Sequence, residues 1–318
     1  MTSLPRALKV ILEARLYEDL LASSSHLLLR PVHVVSELSS PCLHAQMFTS
    51  TRSEFELTSR VNWVFEETDH VRLASFLPSG AKRLIRIVQQ RLLELSYHGT
   101  GRDCPVCGYS SRKFREVGVV RRADAQCVHC SALERHRLVW LFISQRTTLF
   151  NGQTRKMLHV APEACFAVRF PKLVGAGYLS ADLASPLAMV KMDITDIAFP
   201  NEHFDVIYCG HVLEHVRDDR KALREFHRIL RKDGWAILNV PITAPATFED
   251  PSIVSPQARL AAFGQEDHVR RYGPDYVDRL REAGFTVQIF KPLDLVKHED
   301  CVRMGLTAAS GEIYFCRK

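Results

Sequence analysis

The 318-residue chain is 46% hydrophobic and 25% charged, with a net charge of +6. This is the balance of an ordinary soluble protein with room for one substantial domain and one or two small modules. No apolar run approaches the roughly 20 residues needed to cross a bilayer, and Arg6, Lys9, Glu13, Arg15 and Glu18 break the hydrophobicity of the first segment. Neither a membrane span nor a signal peptide is therefore expected, and the cytoplasm is the expected compartment.

Three regions are expected, spanning residues 1–100, 101–149 and 150–318. In the first, Leu8, Ile11, Leu12, Leu16 and Leu20 fall near helical spacing and predict an amphipathic helix over residues 4–21. Leu84, Ile85, Ile87, Val88, Leu92 and Leu95 predict another over 81–97. The Ser- and Thr-containing stretch between them has no clear period. The region reads as a partly helical cap or dimerisation element.

Next come two cysteine pairs, Cys104 with Cys107 and Cys127 with Cys130, separated by 19 residues in a chain of nine cysteines. Each Cys-x-x-Cys turn can aim two thiolates at one ion, and two turns complete a tetrahedral four-thiolate shell with no open position. The expected cofactor is thus a structural Zn²⁺, and Pro105 and Gly108 favour a tight knuckle. The competing reading is a set of redox or disulfide pairs, which the absence of a secretory signal disfavours. The charge excess concentrates here: residues 81–150 hold 13 basic against 5 acidic side chains, whereas 1–80 hold 7 against 9 and 151–318 hold 22 of each. Such a module either presents a solvated basic face or meets RNA or another polyanion. The aromatics that would stack on bases are few, namely Tyr97, Tyr109, Phe114 and Trp140.

The segment SALERHRLVWLFI at 131–143 predicts a helix capped by Ser131, with Glu134 completing a capping box, that welds the cysteine module to the C-terminal region. The run Glu134-Arg135-His136-Arg137 carries too many donors for a buried position, so it either lines a cleft or faces water.

From Lys156 the pattern becomes strands alternating with helices. Strands are expected at 156–160, 178–181, 204–209, 235–240, 285–290 and 313–316, with helices at 218–230 and 274–283. This alternation implies a doubly wound α/β sheet, whose ligand lies beyond the carboxyl ends of the strands. The candidate site is then Ala161-Pro162-Glu163, Asp182, Asp193-Ile194 and the stretch from Gly210 to Val216. Asp182 lies 22 residues beyond Val160, near the spacing at which a carboxylate accepts both ribose hydroxyls of a nucleoside.

Two strings, KMDITDIAFPNEHFDVIYCGHVLEHV at 191–216 and ALREFHRILRKDGW at 222–235, resemble the class I S-adenosylmethionine-dependent methyltransferases of the type 11 group. The resemblance covers residues 150–318. It implies a seven-stranded Rossmann-like sheet with a reversed last hairpin, binding S-adenosyl-L-methionine across its first, second and fourth strands. Carried over by position, Asp182 would bind the ribose, Asp193 the adenine amino group, and Ile194 would lie against the adenine ring. His211 would stand beside the methionine moiety and the methyl path. The family's first strand normally ends in a glycine-rich turn, whereas this chain has Leu158-His159-Val160-Ala161-Pro162-Glu163. His159, Ala161 and Glu163 are the candidates there, Ala161 allowing close approach and Glu163 meeting the cofactor's ammonium.

For acid–base work the candidate catalytic residues are His211 and His268, histidine being the natural base near neutral pH. His215, Arg270 and Tyr272 are candidate substrate contacts, against a role in fold-tying hydrogen bonds. The segment 241–256 is read as a mobile loop over the site. The expected acceptor is a small molecule or an envelope or natural-product precursor. The alternatives are RNA gripped by the basic module, and a scaffold that has lost its cofactor.

Overall fold

The computed structural model describes residues 78–118 and 121–318. The helix expected over 4–21 and the aperiodic stretch after it lie outside the described residues.

Helix α1 runs Ser79–Tyr97, as its apolar spacing requires. Two short antiparallel hairpins come next, His98–Asp103 with Ser110–Ser111 and Arg115–Val117 with Arg122–Gln126. Helix α2 then spans Glu134–Arg146. Its cap differs from the sequence expectation. Leu133 is the N-cap residue, with its backbone N–H donating to His136 Nδ1, while Ser131 stands two residues outside with a φ of 62°.

The α/β region is built on strands β1 Met157–Val160, β2 Tyr178–Asp182, β3 Val190–Lys191, β4 Phe204–Gly210, β5 Leu230–Asn239, β6 Thr286–Phe290 and β7 Ile313–Arg317. They form one sheet in the order β6-β7-β5-β4-β1-β2-β3. The five strands from β5 to β3 are parallel, and β7 is inserted antiparallel between β5 and β6. Strand order reverses between β1 and β4, so their carboxyl ends open the crevice in which such sheets bind ligands.

Central parallel strands are covered on both faces and so read as nearly continuous apolar runs. Met157, Val206, Tyr208, Ile237 and Phe315 face one core, and Leu158, Val160, Ile207, Cys209 and Leu238 the other. On the second face lie α5 Asp219–Ile229 and α7 Tyr276–Glu282, after two short helices, α3 Ala164–Ala167 and α4 Phe170–Val174, on the first and α6 Pro256–Phe263 beyond β5. The last helix is α8, His298–Arg303. Asp218, expected as the first helical residue, instead caps α5 by accepting the Lys221 N–H.

Helix α2 does weld the cysteine module to the sheet. Val106, Phe114, Leu138 and Phe142 share one core with Met157, Tyr208 and Phe315, and the Phe142 ring lies 4.9 Å from Phe290 and 5.1 Å from Phe315. The expectation that residues 134–137 stay out of the interior is overturned, since Glu134, His136 and Arg137 are buried. Partners offset most of the cost for Glu134 and Arg137, while His136 accepts at Nδ1 and leaves Nε2 without a hydrogen bond among the described residues. Glu134 pairs with Arg122. Arg137 donates to the carbonyls of Ala125, Ala132 and Gly305 and lies over the Phe114 ring.

Candidate functional site

At the end of β1 the chain turns at Ala161 with a φ of 48°. This is the left-handed region that glycine occupies without cost. The glycine-free turn therefore keeps a glycine-like backbone, and the small Cβ is what makes that tolerable. Ala161 N–H is fixed to Ala181 O at 2.8 Å, and the neighbouring strand β4 ends in Gly210. A Cβ on Gly210 would stand 2.7 Å from the Tyr208 hydroxyl, so a side chain there would displace that hydroxyl.

Glu163 does not point outward. Its carboxylate accepts from His159 Nε2 at 2.8 Å and from the Tyr208 hydroxyl at 2.8 Å, with His136 Nε2 3.8 Å away. Burial opposes its ionisation, but the hydrogen bond and charge from His159 prevail and hold the carboxyl below its usual range. His159 is wholly buried, with Nδ1 2.9 Å from the Tyr178 hydroxyl, and is ringed by Phe166, Phe170 and Tyr208. The structure thus places His159 and Glu163 in an internal polar brace beneath the turn, with their hydrogen-bonding groups turned on one another and on two tyrosines.

Asp182 ends β2. Its Oδ1 accepts the N–H groups of Ala184 and Ser185 at 2.8 and 2.7 Å, which fixes the carboxylate at the strand end. Asp193, just beyond β3, is exposed, and its Oδ1 accepts from both the N–H and the hydroxyl of Thr195 at 2.8 Å. These bonds hold its carboxyl below the usual range. Ile194 is buried, packed with Met192 and Ile197 in the second core.

His211 directly follows β4. Its φ is 58°, its N–H donates to Asn239 O, and its Nδ1 lies 3.5 Å from Glu214 Oε1. A non-glycine residue held in this region at a strand end is a place to look for function. Leu213–His215 form one 3-10 turn. His268 comes to it from a distant loop, with its ring 4.7 Å from that of His215, and Val269 N–H donates to Glu214 O at 2.9 Å. Three predicted residues, His211, His215 and His268, are therefore brought together around Glu214.

Arg270 and Tyr272 are placed otherwise than as substrate contacts. Arg270 is buried and donates to the carbonyls of Leu213, Val216 and Arg217 and to Glu249 Oε2 at 2.8 Å. Tyr272 is wholly buried, with its hydroxyl 2.6 Å from Asp219 Oδ2. Arg279 bridges Asp219 and Glu249. A full set of partners, with both side chains buried, leaves neither available to an acceptor. The segment 241–256 is likewise anchored: Phe248–Glu249 pairs with Arg270–Arg271, Thr243 and Ala244 donate to Tyr272 O, and Thr247 bonds Asp275.

Sequence reasoning missed Tyr208, Tyr178 and His136 around Glu163, and Asp219, Glu249 and Arg279 around Arg270. Tyr208 had a signal, being a polar tip in a strand buried on both faces. Asp219 had none, since it reads as one of two aspartates at a helix start.

Cys104, Cys107, Cys127 and Cys130 converge, their sulfurs all within 4.8 Å of one another. Cys104 lies 3.6 Å from Cys130, and Cys107 3.7 Å from Cys127. Metal–sulfur bonds of about 2.3 Å in a tetrahedron require sulfurs about 3.8 Å apart, so the donor set fits a zinc ion. The two turns repeat one another. Gly108 N–H donates to Cys104 O and Ser131 N–H to Cys127 O, while Cys104 N–H donates to Tyr109 O and Cys127 N–H to Ala132 O. Gly108 and Ser131 share the left-handed conformation, at 73° and 62°.

Residues 169–238 match the family model described as a methyltransferase domain. With the strand order and the reversed β7, this decides the architecture. The α/β region has the class I methyltransferase fold. Similar to it is an uncharacterised methyltransferase, YcgJ, of Bacillus subtilis, 38% identical over 74 residues; these are 23% of this chain and 28% of that protein, so the chain spans little more than a quarter of the relative's length. Among solved structures, an S-adenosylmethionine-dependent methyltransferase from Mesorhizobium loti is 14% identical, covering 52% of this chain and 91% of its own, at a TM-score of 0.37. Another, from Archaeoglobus fulgidus, is 14% identical, covering 57% and 93%, at a TM-score of 0.37. Among the described residues of this methyltransferase-fold chain, no helix is long and apolar enough to cross a membrane.

Proposed function

We propose that the chain is an S-adenosylmethionine-dependent methyltransferase acting on an oxygen or nitrogen of a small molecule or of an envelope or natural-product precursor. The observation that carries this reading is the gathering of Ala161, Asp182 and His211 at the carboxyl ends of the three adjacent strands β1, β2 and β4. When bound, S-adenosyl-L-methionine supplies a sulfonium methyl that passes to the acceptor's lone pair and leaves a neutral thioether.

The chain's own residues have the remaining tasks. Asp182, fixed by the Ala184 and Ser185 N–H groups, would accept the ribose hydroxyls, and Asp193 would face the adenine amino group. The left-handed Ala161 turn and Gly210 would let backbone approach the amino-acid end of the cofactor. His211 would take the acceptor's proton, its imidazole steadied by Glu214. Alignment of the acceptor supplies most of the remaining rate. A structural Zn²⁺ held by Cys104, Cys107, Cys127 and Cys130 would fix the module on which α2 is mounted.

The other two readings have less support. Three of the arginines that make residues 81–150 basic are already engaged, Arg102 with Asp124, Arg122 with Glu134 and Arg137 in the core, which leaves less charge for RNA phosphates. The scaffold reading rested on the missing glycines, and the left-handed Ala161 weakens that ground. The test is release of S-adenosylhomocysteine from S-adenosylmethionine in the presence of pooled hydroxyl- and amine-bearing small molecules. Turnover that needs an acceptor and falls at least about 100-fold in His211→Ala supports the reading. Turnover only with RNA, or equal turnover in His211→Ala, contradicts it.

A further inference from the structure

Glu214, His215 and His268 form a second constellation, separate from the four cysteines. One ligand atom from each lies within 4.8 Å of the others. Two imidazoles and a carboxylate are a donor set suited to first-row divalent ions. The second observation is independent of this clustering. Glu214 is 2% exposed, and its Oε2 has no hydrogen-bond partner among the described residues. A buried carboxylate oxygen left unpaired costs on the order of several kcal/mol unless a cation or donor meets it.

We infer that Glu214, His215 and His268 bind a divalent transition-metal ion, of the kind that prefers imidazole nitrogen, at the carboxyl end of β4. The scaffold of the site is rigid. Glu214 and His215 share one 3-10 turn, whose carbonyls at Leu213 and Val216 are held by the buried Arg270 guanidinium. His268 is two residues before Arg270, and the Val269 N–H donates to Glu214 O, so one arginine fixes both segments. The imidazoles of His215 and His268 stand nearly perpendicular, at 83°. His215 Nδ1 lies 3.1 Å from Asp267 Oδ2, the carboxylate–imidazole arrangement that orients metal-bound histidines.

Three protein ligands leave a coordination position open. Because His215 is exposed, that position can be reached from solvent. Glu214 Oε1 faces His211 at 3.5 Å, so the ion would stand beside the candidate base, where it could polarise an acceptor hydroxyl. That last role rests on the methyl-transfer reading. The binding itself does not.

The test is equilibrium dialysis of the full chain against Zn²⁺, with bound metal counted by elemental analysis for wild type, His215→Ala and Glu214→Gln. Circular dichroism establishes that each is folded. The wild type is expected to hold one equivalent more than either variant, whatever the four cysteines retain. Affinity at this site should fall by at least the roughly 10–100-fold that loss of a supporting partner alone costs. A matching Co²⁺ titration should show that the additional ion lacks sulfur charge-transfer absorption. Equal metal content in wild type and folded His215→Ala overturns the proposal, as does a sulfur signature for the ion that the variants lose. Metal counting needs no cofactor or acceptor, so this result is independent of the fate of the methyl-transfer reading.

Discussion

Ala161 and His211 end neighbouring strands, β1 and β4, and both hold the left-handed backbone that side chains ordinarily avoid, with φ of 48° and 58°. Two such residues at the crevice where strand order reverses mark the place where backbone, rather than side chains, shapes the site.

Ala161→Gly is expected to be neutral or stabilising by up to about 1 kcal/mol, relief of the left-handed strain outweighing the flexibility gained by the unfolded chain. Cofactor-product affinity should be kept. Ala161→Val should lose both, since a β-branched residue tolerates this conformation least. Urea denaturation beside titration with S-adenosylhomocysteine checks the pair, and a destabilising Ala161→Gly would show that the turn is not strained.

Arg270→Ala should destabilise the fold by about 3–5 kcal/mol, because it strips the Leu213, Val216 and Arg217 carbonyls and Glu249 of a buried partner. Arg270→Lys should rescue little, lacking the fork that serves several acceptors at once. Denaturant midpoints decide the matter. An unchanged midpoint with a raised KM would instead make Arg270 a substrate contact.

Chelation of metal, or Cys130→Ser, should lower the thermal midpoint of the α/β region as well as loosen the cysteine module. The reason is the shared core, in which Val106 and Phe114 pack with Leu138, Phe142 and Phe315. Calorimetry should show a single shifted transition. Separate transitions, with the larger one unmoved by the chelator, would show that the module is an independent appendage.

His136 supplies a pH dependence. Burial holds its folded-state pKa at about 3, below the roughly 6.5 of the unfolded chain. The unfolded state therefore binds the proton first as pH falls. The stability this group contributes is complete above about pH 6.5 and drains away as pH drops toward 3, at up to about 1.4 kcal/mol per unit. Between about pH 6.5 and pH 5 the wild type should lose about 2 kcal/mol more than His136→Gln. Parallel urea melts of the two proteins measure it, and equal losses would mean that His136 is protonated in the folded state.

Six strands and the two longer helices that cover the second face, α5 and α7, were legible because burial imposes period and punctuation, whereas α3, α4, α6 and α8 were not foreseen. Asp218 caps its helix, Gly284 follows α7, and the strand limits fall within a residue or two except at β5, which begins at Leu230. The cysteine cluster was legible from spacing alone. Orientation was not. Period marks 159 as inside but cannot say that a histidine there meets Glu163 and Tyr178. Nor can local pattern show that Arg270 and Tyr272, polar residues in a loop, close a buried network with Asp219, 51 and 53 residues away. Such pairings are set by tertiary contact, which one sequence does not display. The two-residue strand β3 escaped for another reason, being too short to show alternation.

The proposed cofactor site lies at the ends of β1, β2 and β4. The most direct measurement is calorimetric titration of the zinc-loaded protein with S-adenosylhomocysteine, wild type beside Asp182→Asn. Asparagine keeps the side-chain oxygen that accepts from Ala184 and Ser185 while removing the charge that would bind the ribose. One equivalent bound, with affinity reduced about 10- to 100-fold in the variant, is the expected result. A folded wild type that takes up no ligand, or a variant that binds as tightly, would contradict it.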